Sequence, residues 1–342
     1  MKVLVSFQPN KKESSFEGVR LRKTIKGALE MVDVSYTNSP LDDYDVAHLI
    51  SPEEDDIIPL IKNKNVPIIA SALFCEDDPS ASYLEHKNKD GKIITNVKSK
   101  AIKFLNKVDL VLVPSIYARD LLINAGIRAR IMIALPGVNL SRFNFSRDDE
   151  KEIFYRYFTE SKKRPLVVSL GEFNRKFDGA STVIAAAKKC PNVNFYYFGK
   201  ETTKGYLRSF KMRQLLKIAP KNVHFETLIA DDVYRSALLN AEIFFIPSYK
   251  TSGVVSLLDA MAGKCQIIAR KNAIYEDIIK DGENAYIGAY SETLTSLIKD
   301  YFDKKIASTI ENGYELAKKC NLKTVGEQLL FFYQQEINNK NI

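Results

Sequence analysis

The chain has 342 residues, 45% of them apolar, and a formal net charge of +8. That apolar share excludes a disordered chain, and no run of 18 apolar residues is present to cross a bilayer. Cys75, Cys190, Cys265 and Cys320 lie far apart with no CxxC, and His48, His86 and His224 are the only histidines. A disulfide scaffold or zinc site is therefore not expected, and a reducing cytosol is the simplest home. The positive balance calls for an anionic partner: nucleic acid, anionic lipid or a phosphorylated small substrate.

The opening MKVLVSF turns polar at Gln8 and reads as a first strand rather than a signal peptide. Further strands are expected at 32–36, 46–50, 67–72, 110–114 and 130–135, then at 166–170, 194–198, 224–228, 243–247, 266–269 and 285–287. Helical patterns fall between them, at 18–31, 116–124, 179–189, 231–240 and 254–262. Alternation of this kind predicts parallel sheets. Runs such as Val111-Leu112-Val113 and Phe244-Phe245-Ile246 are apolar throughout, as strands buried on both faces are.

The charged, helix-like stretch SRDDEKEIFYRYFTESKKR carries no strand signal, and a new strand begins after it at Pro165. The expected fold is therefore α/β, with two Rossmann-like open parallel-sheet domains facing across a cleft. Residues 1–150 form the first and 160–320 the second. A helix within 321–342 could pack on either. A crevice at the carboxyl ends of the strands is the natural ligand site.

Four segments carry candidate chemistry. The first loop, from Gln8, places Ser14, Ser15 and Gly18 where a helix start can face an anion. The loop after Gly171 carries Arg175 and Lys176, cations suited to a diphosphate leaving group. The strand ending in Pro247-Ser248 leads into a small-residue loop and a helix start, where the amides of Ser252, Gly253 and Val254 suit a phosphate. Asp259, further along that helix, needs a partner, and vicinal sugar hydroxyls are good ones. Finally, Lys98, Lys100 and Lys103 punctuate the partly amphipathic stretch 94–112, which suits an anionic membrane surface. Each segment also has a plainer reading as a solvated loop or helix face.

These residues resemble the retaining glycosyltransferases of the GT-B fold, the large group 1 (family 4-like) group. The likeness is carried by Pro136-Gly137-Val138-Asn139 before Phe143, by the basic pair Arg175-Lys176, by Pro247-Ser248, by Asp259 before Ala260-Met261-Ala262, and by the stretch from Ile274 to Ala285. Within the group, the sequences 42–49, 247–249 and 274–275 are most similar to Gram-positive enzymes that extend glucosyl-diacylglycerol. The resemblance implies transfer of a hexose from a nucleotide-diphosphate sugar, UDP-glucose or UDP-galactose, with retention at the anomeric carbon. Arg175, Lys176 and the helix start would neutralise the diphosphate, and Asp259 would hold the ribose. It implies no metal and no bound cofactor beyond the donor. The acceptor would be a membrane glycolipid met by the first domain of a peripheral protein on the inner face of the cell membrane.

Three positions depart from the group's pattern. Thr251 stands where the first of two spaced carboxylates is usual, Leu73 where a histidine is frequent, and Glu172 where an arginine is common. Each loss removes a polar group from the reacting sugar, at about 3–4 kcal/mol for one preorganised donor. Two further readings follow. One is a catalytically degenerate protein that stabilises an active glycosyltransferase partner. The other is a soluble enzyme acting on protein or polysaccharide. Nucleic-acid binding is not expected, since no recognised module is present.

Overall fold

The computed structural model describes residues 1–8, 17–75, 78, 80–87, 93–143, 148–159, 164–171, 179–199, 210–227, 229–250 and 253–340. In chain order the first group of elements is β1 (Lys2–Ser6), α1 (Glu17–Glu30), β2 (Ser35–Thr37), β3 (Val46–Leu49), α2 (Ile58–Asn63), β4 (Ile68–Ser71), β5 (Tyr83–Lys87), β6 (Ile93–Val97), α3 (Ser99–Leu105), β7 (Leu110–Val113), α4 (Ile116–Asn124) and β8 (Arg130–Ile133). Then follow α5 (Asp148–Phe158), β9 (Leu166–Leu170), α6 (Ala180–Lys189), β10 (Asn194–Gly199), α7 (Phe210–Ile218), β11 (Val223–Thr227), α8 (Asp231–Asn240), β12 (Ile243–Ile246), α9 (Val254–Ala262), β13 (Gln266–Arg270), β14 (Tyr286–Gly288), α10 (Ser291–Phe302), α11 (Ile310–Lys319) and α12 (Leu322–Lys340).

Two six-stranded sheets result, and every ladder in them is parallel. The first has the order β2-β1-β3-β4-β7-β8 and the second β11-β10-β9-β12-β13-β14. The strands that read as apolar throughout, β7 and β12, are buried at every position, because helices cover both faces of each sheet. The strand order reverses between β1 and β3 in one sheet and between β9 and β12 in the other. These switch points open crevices at the carboxyl ends of the strands. β1, β9 and β12, the strands after which the candidate loops were expected, all border these switch points. The molecule is two Rossmann-like sheets facing across a cleft, as the alternation predicted.

Two sequence expectations are corrected. The stretch 94–112 is not one amphipathic segment. Its start is strand β6, paired antiparallel with β5 in a hairpin inserted after β4, and helix is confined to Ser99–Leu105. The β-branched Ile94, Thr95 and Val97 prefer the pleated form, and Lys98 is extended at φ −65°, ψ 137°. The strand expected at 32–36 is shorter and later. Asp33 takes φ 55° and the Val34 amide still bonds the Leu29 carbonyl, so the end of α1 consumes those residues.

The final helix returns to the first sheet. Leu322, Val325, Leu329, Phe332 and Tyr333 share a buried cluster with Val3, Val5, Ile25 and Leu29. Gly326 makes the close approach to α1 possible, since a Cβ there would overlap the Ala28 carbonyl oxygen.

Candidate active-site cleft

The first helix opens at the switch point of its own sheet and reaches the other. At the end of β1, the Ser6 hydroxyl donates to Glu54 Oε2 at 2.6 Å, and the Gln8 amide donates to the same carboxylate. Burial pushes the Glu54 carboxyl above its ordinary range, against the pull of these two donors. The Gly18 amide donates to Asp78 Oδ2 at 2.9 Å. This contact anchors the start of α1 within its own half of the molecule.

Glu17, the residue before it, crosses the cleft. Its Oε1 accepts the Val255 amide at 2.7 Å and its Oε2 accepts the Ser256 hydroxyl at 2.9 Å. Its side chain thus sits on the N-terminal turn of α9. Unbonded amides there are what the sequence assigned to a phosphate. Burial raises the Glu17 carboxyl, and the Arg20 guanidinium beside it, Ser256 and the Val255 amide oppose that rise. Gly253 leaves room for the carboxylate, which a Cβ at that position would overlap.

Asp259 lies one turn further along α9 and is 2% exposed. Its partner here is Arg20, which is ion-paired to it and also donates from Nη1 to the Ser256 hydroxyl at 2.9 Å. The guanidinium lies 4.5 Å from the centre of the Tyr234 ring. Sequence reasoning expected sugar hydroxyls opposite Asp259. It missed Glu17 and Arg20, whose only local signal is a charged pair three residues apart at the start of an amphipathic helix.

Arg270, at the end of β13, is a third group missed from sequence. It is buried, donates to the carbonyls of Pro247 and Ala289 at 2.8 Å each, and reaches the hydroxyls of Thr182 and Ser291 at 3.1 Å. Its guanidinium stacks 3.8 Å over Tyr249. One side chain thereby fixes the strand end before the predicted donor loop and the start of α6. Gly171 closes β9, its amide bonded to the Phe198 carbonyl at 3.0 Å.

Two cavities flank the α1–α9 contact. The larger, about 330 Å³, is lined by Arg20, Lys23, Lys26, Arg142, Asp231 and Asp259 among others. The smaller, about 60 Å³, lies at the strand ends of the first sheet, between Leu73, Leu112, Leu135 and Val254, with Glu17 and His48 on its wall. His48 bridges the Ser71 hydroxyl at 2.8 Å and the Tyr333 hydroxyl at 2.6 Å, and burial lowers its pKa to about 3, so it is neutral. Leu73 is buried in that wall.

Ser14, Ser15, Glu172, Arg175, Lys176, Thr251 and Ser252 lie outside the described residues. Lys98, Lys100 and Lys103 stand apart from both cavities, on and before α3, which lies against the turn Pro52–Asp56. Lys100 and Lys103 are exposed. Among the described residues no cluster of three His, Cys, Asp or Glu could hold a metal, and no helix is long and apolar enough to cross a membrane.

Two facing parallel sheets with the cleft at their switch points define a GT-B protein. The solved structure of Anabaena HepE with UDP and glucose superposes with a TM-score of 0.72 at 15% identity, covering 98% of this chain and all of that one. The description of the glycosyl transferases group 1 family matches residues 150–320, half of the chain. The chain belongs to that family. It is 25% identical over 318 residues to the processive diacylglycerol alpha-glucosyltransferase of Acholeplasma laidlawii, covering 92% of each. It is 23% identical over 237 residues to the alpha-galactosylglucosyldiacylglycerol synthase of Streptococcus pneumoniae, covering 68% of this chain and 62% of that one.

Proposed function

We propose that this protein transfers a hexose from a UDP-sugar to a glucosyl-diacylglycerol-type glycolipid, with retention at the anomeric carbon. The observation that carries the reading is the likeness to a diacylglycerol glucosyltransferase along 92% of both chains. The UDP and glucose bound by HepE, whose fold is shared, support the donor. Residues 160–320 would bind the donor and residues 1–150 the acceptor, with 321–342 bracing the first sheet. Arg175, Lys176 and the amides of Ser252, Gly253 and Val254 would neutralise the diphosphate as the glycosidic bond breaks. Acceptor and leaving group share one face of the sugar, so the departing phosphate takes the acceptor proton. The protein would act as a peripheral enzyme on the cytoplasmic face of the membrane.

A second reading, a degenerate member that stabilises an active glycosyltransferase, is favoured by one observation. The places assigned to the donor, the start of α9 and the carboxylate of Asp259, are both held by residues of α1.

The deciding assay supplies radiolabelled UDP-glucose or UDP-galactose with diacylglycerol or glucosyl-diacylglycerol in anionic micelles. The enzyme reading expects labelled lipid, reduced in Lys176→Ala. No labelled lipid with either donor, and no calorimetric binding of UDP, would leave the scaffold reading. UDP binding without lipid product would move the acceptor to soluble glycans or proteins.

A further inference from the structure

We infer that the α1–α9 contact is a latch: Glu17 closes the two sheets on each other by occupying the helix end that the donor diphosphate needs, so the closed ligand-free state and donor binding exclude one another. The exclusion half rests on the donor reading above; the latch half does not.

The geometry is specific. Glu17 and Arg20 lie three residues apart and so share one face of α1. They meet α9 at two successive levels. Glu17 takes the Val255 amide and the Ser256 hydroxyl, at 2.7 and 2.9 Å, and Arg20 takes Ser256 and Asp259. Gly253 opens the space in which the carboxylate sits. Glu17 is 4% exposed, so its charge is shielded from water only while the sheets are closed. Two further contacts bridge the same halves at the rim: the Ile116 amide donates to Asp277 Oδ2 at 2.6 Å, and Arg142 pairs with Asp231 at 2.7 Å.

A phosphate arriving at the amides of residues 252–254 would meet a carboxylate on the next amide of the same helix turn, that of Val255. Two anions cannot share one helix end at such range without a large repulsion. The donor therefore enters after Glu17 has withdrawn, and the protein's apparent affinity is reduced by the fraction of molecules in which it has. Because Asp78 binds the Gly18 amide, the backbone at the start of α1 is tethered within its own half of the molecule, and Glu17 leaves α9 as the two halves part.

The test uses Glu17→Ala and Glu17→Gln. All four native cysteines are buried, so cysteines placed at exposed Leu41 and Tyr290, one in each half, accept spin labels selectively. In ligand-free protein the latch predicts a longer or broader label distance in E17A than in wild type, with E17Q between them. It also predicts about tenfold tighter binding of UDP, and of inorganic pyrophosphate, in E17A. Distances unchanged in both variants overturn the latch, and weaker or equal anion binding in E17A overturns the exclusion. If E17A does not fold, E17Q decides alone: partial opening supports the latch and an unchanged distance removes it. Opening without UDP binding in any variant, but with tighter pyrophosphate binding in E17A, keeps the latch and removes the nucleotide reading.

Discussion

Arg20 on the first helix of one sheet is ion-paired with Asp259 on the helix that follows β12 of the other, and both side chains are shut away from water. Removing one partner of such a pair strands the other charge in a medium that solvates it poorly. Asp259→Ala and Arg20→Met should each cost about 3–5 kcal/mol of folding stability, while the double variant Arg20→Met/Asp259→Leu should recover most of it. Urea unfolding of the four proteins measures this. Single-variant losses below about 1 kcal/mol would mean the pair is open to water in solution.

His48 gives stability a pH dependence. Its folded pKa is about 3 against 6.5 unfolded, so between these values the unfolded chain binds more protons. The stability it permits is complete above pH 6.5 and is lost as pH falls toward 3, by about 2 kcal/mol between pH 7 and pH 5. The raised carboxyls of Glu17 and Glu54 work in the opposite direction on acidification. The informative quantity is therefore the difference between wild type and His48→Asn, which should narrow by that amount over those two pH units. Parallel unfolding midpoints at both pH values would exclude a buried neutral imidazole.

Arg270 should couple stability to donor binding. Arg270→Met leaves the carbonyls of Pro247 and Ala289 without this donor, at about 1–3 kcal/mol for each buried group. It also frees the Tyr249 ring. A fall in melting temperature together with weaker UDP binding is expected. Arg270→Lys should rescue little, because an ammonium cannot span both carbonyls and stack on the ring. Full UDP affinity in a destabilised R270M would restrict Arg270 to a structural role.

Gly326 tests the seat of the final helix. A methyl group there would overlap the Ala28 carbonyl oxygen, so Gly326→Ala should cost about 1–3 kcal/mol by overpacking. UDP affinity in the folded fraction should not change, since Gly326 itself lines neither cavity. Thermal unfolding beside calorimetry separates the two. An unchanged melting temperature would show that α12 packs more loosely on α1.

The lysines on and before α3 test the membrane side of the proposal. Reversing Lys98, Lys100 and Lys103 to Glu should release the protein from anionic liposomes, with about 1 kcal/mol lost per cation near the surface and a further penalty from the new negative charges. Co-sedimentation that survives the triple reversal would place membrane contact elsewhere.

Local residue pattern was enough for the elements and their class. Helices Ile116–Asn124, Asp231–Asn240 and Val254–Ala262 were legible to the residue, and so was strand Leu166–Leu170. Apolar periodicity and strand length are local quantities, fixed by which faces must leave water. The parallel class followed from alternation, and the switch-point loops followed from the class. The hairpin of β5 and β6 was not legible, because short alternating segments interrupted by charge gain their stability from pairing with each other.

What the cleft contains depends on contacts between distant parts of the chain. Glu17 and Val255 are 238 residues apart, and Arg20 and Asp259 are as distant. No period or spacing links them. Asp259 was legible as a buried carboxylate in need of a partner, but a partner is chosen by proximity and charge in three dimensions. The choice of α12 to cross back to the first sheet is of the same kind. Its apolar stripe could serve either sheet, and the contact of Gly326 with Ala28 and the hydrogen bond of Tyr333 to His48 settle it on the first. Local pattern says which surfaces must be covered; the assembled chain decides which groups cover them.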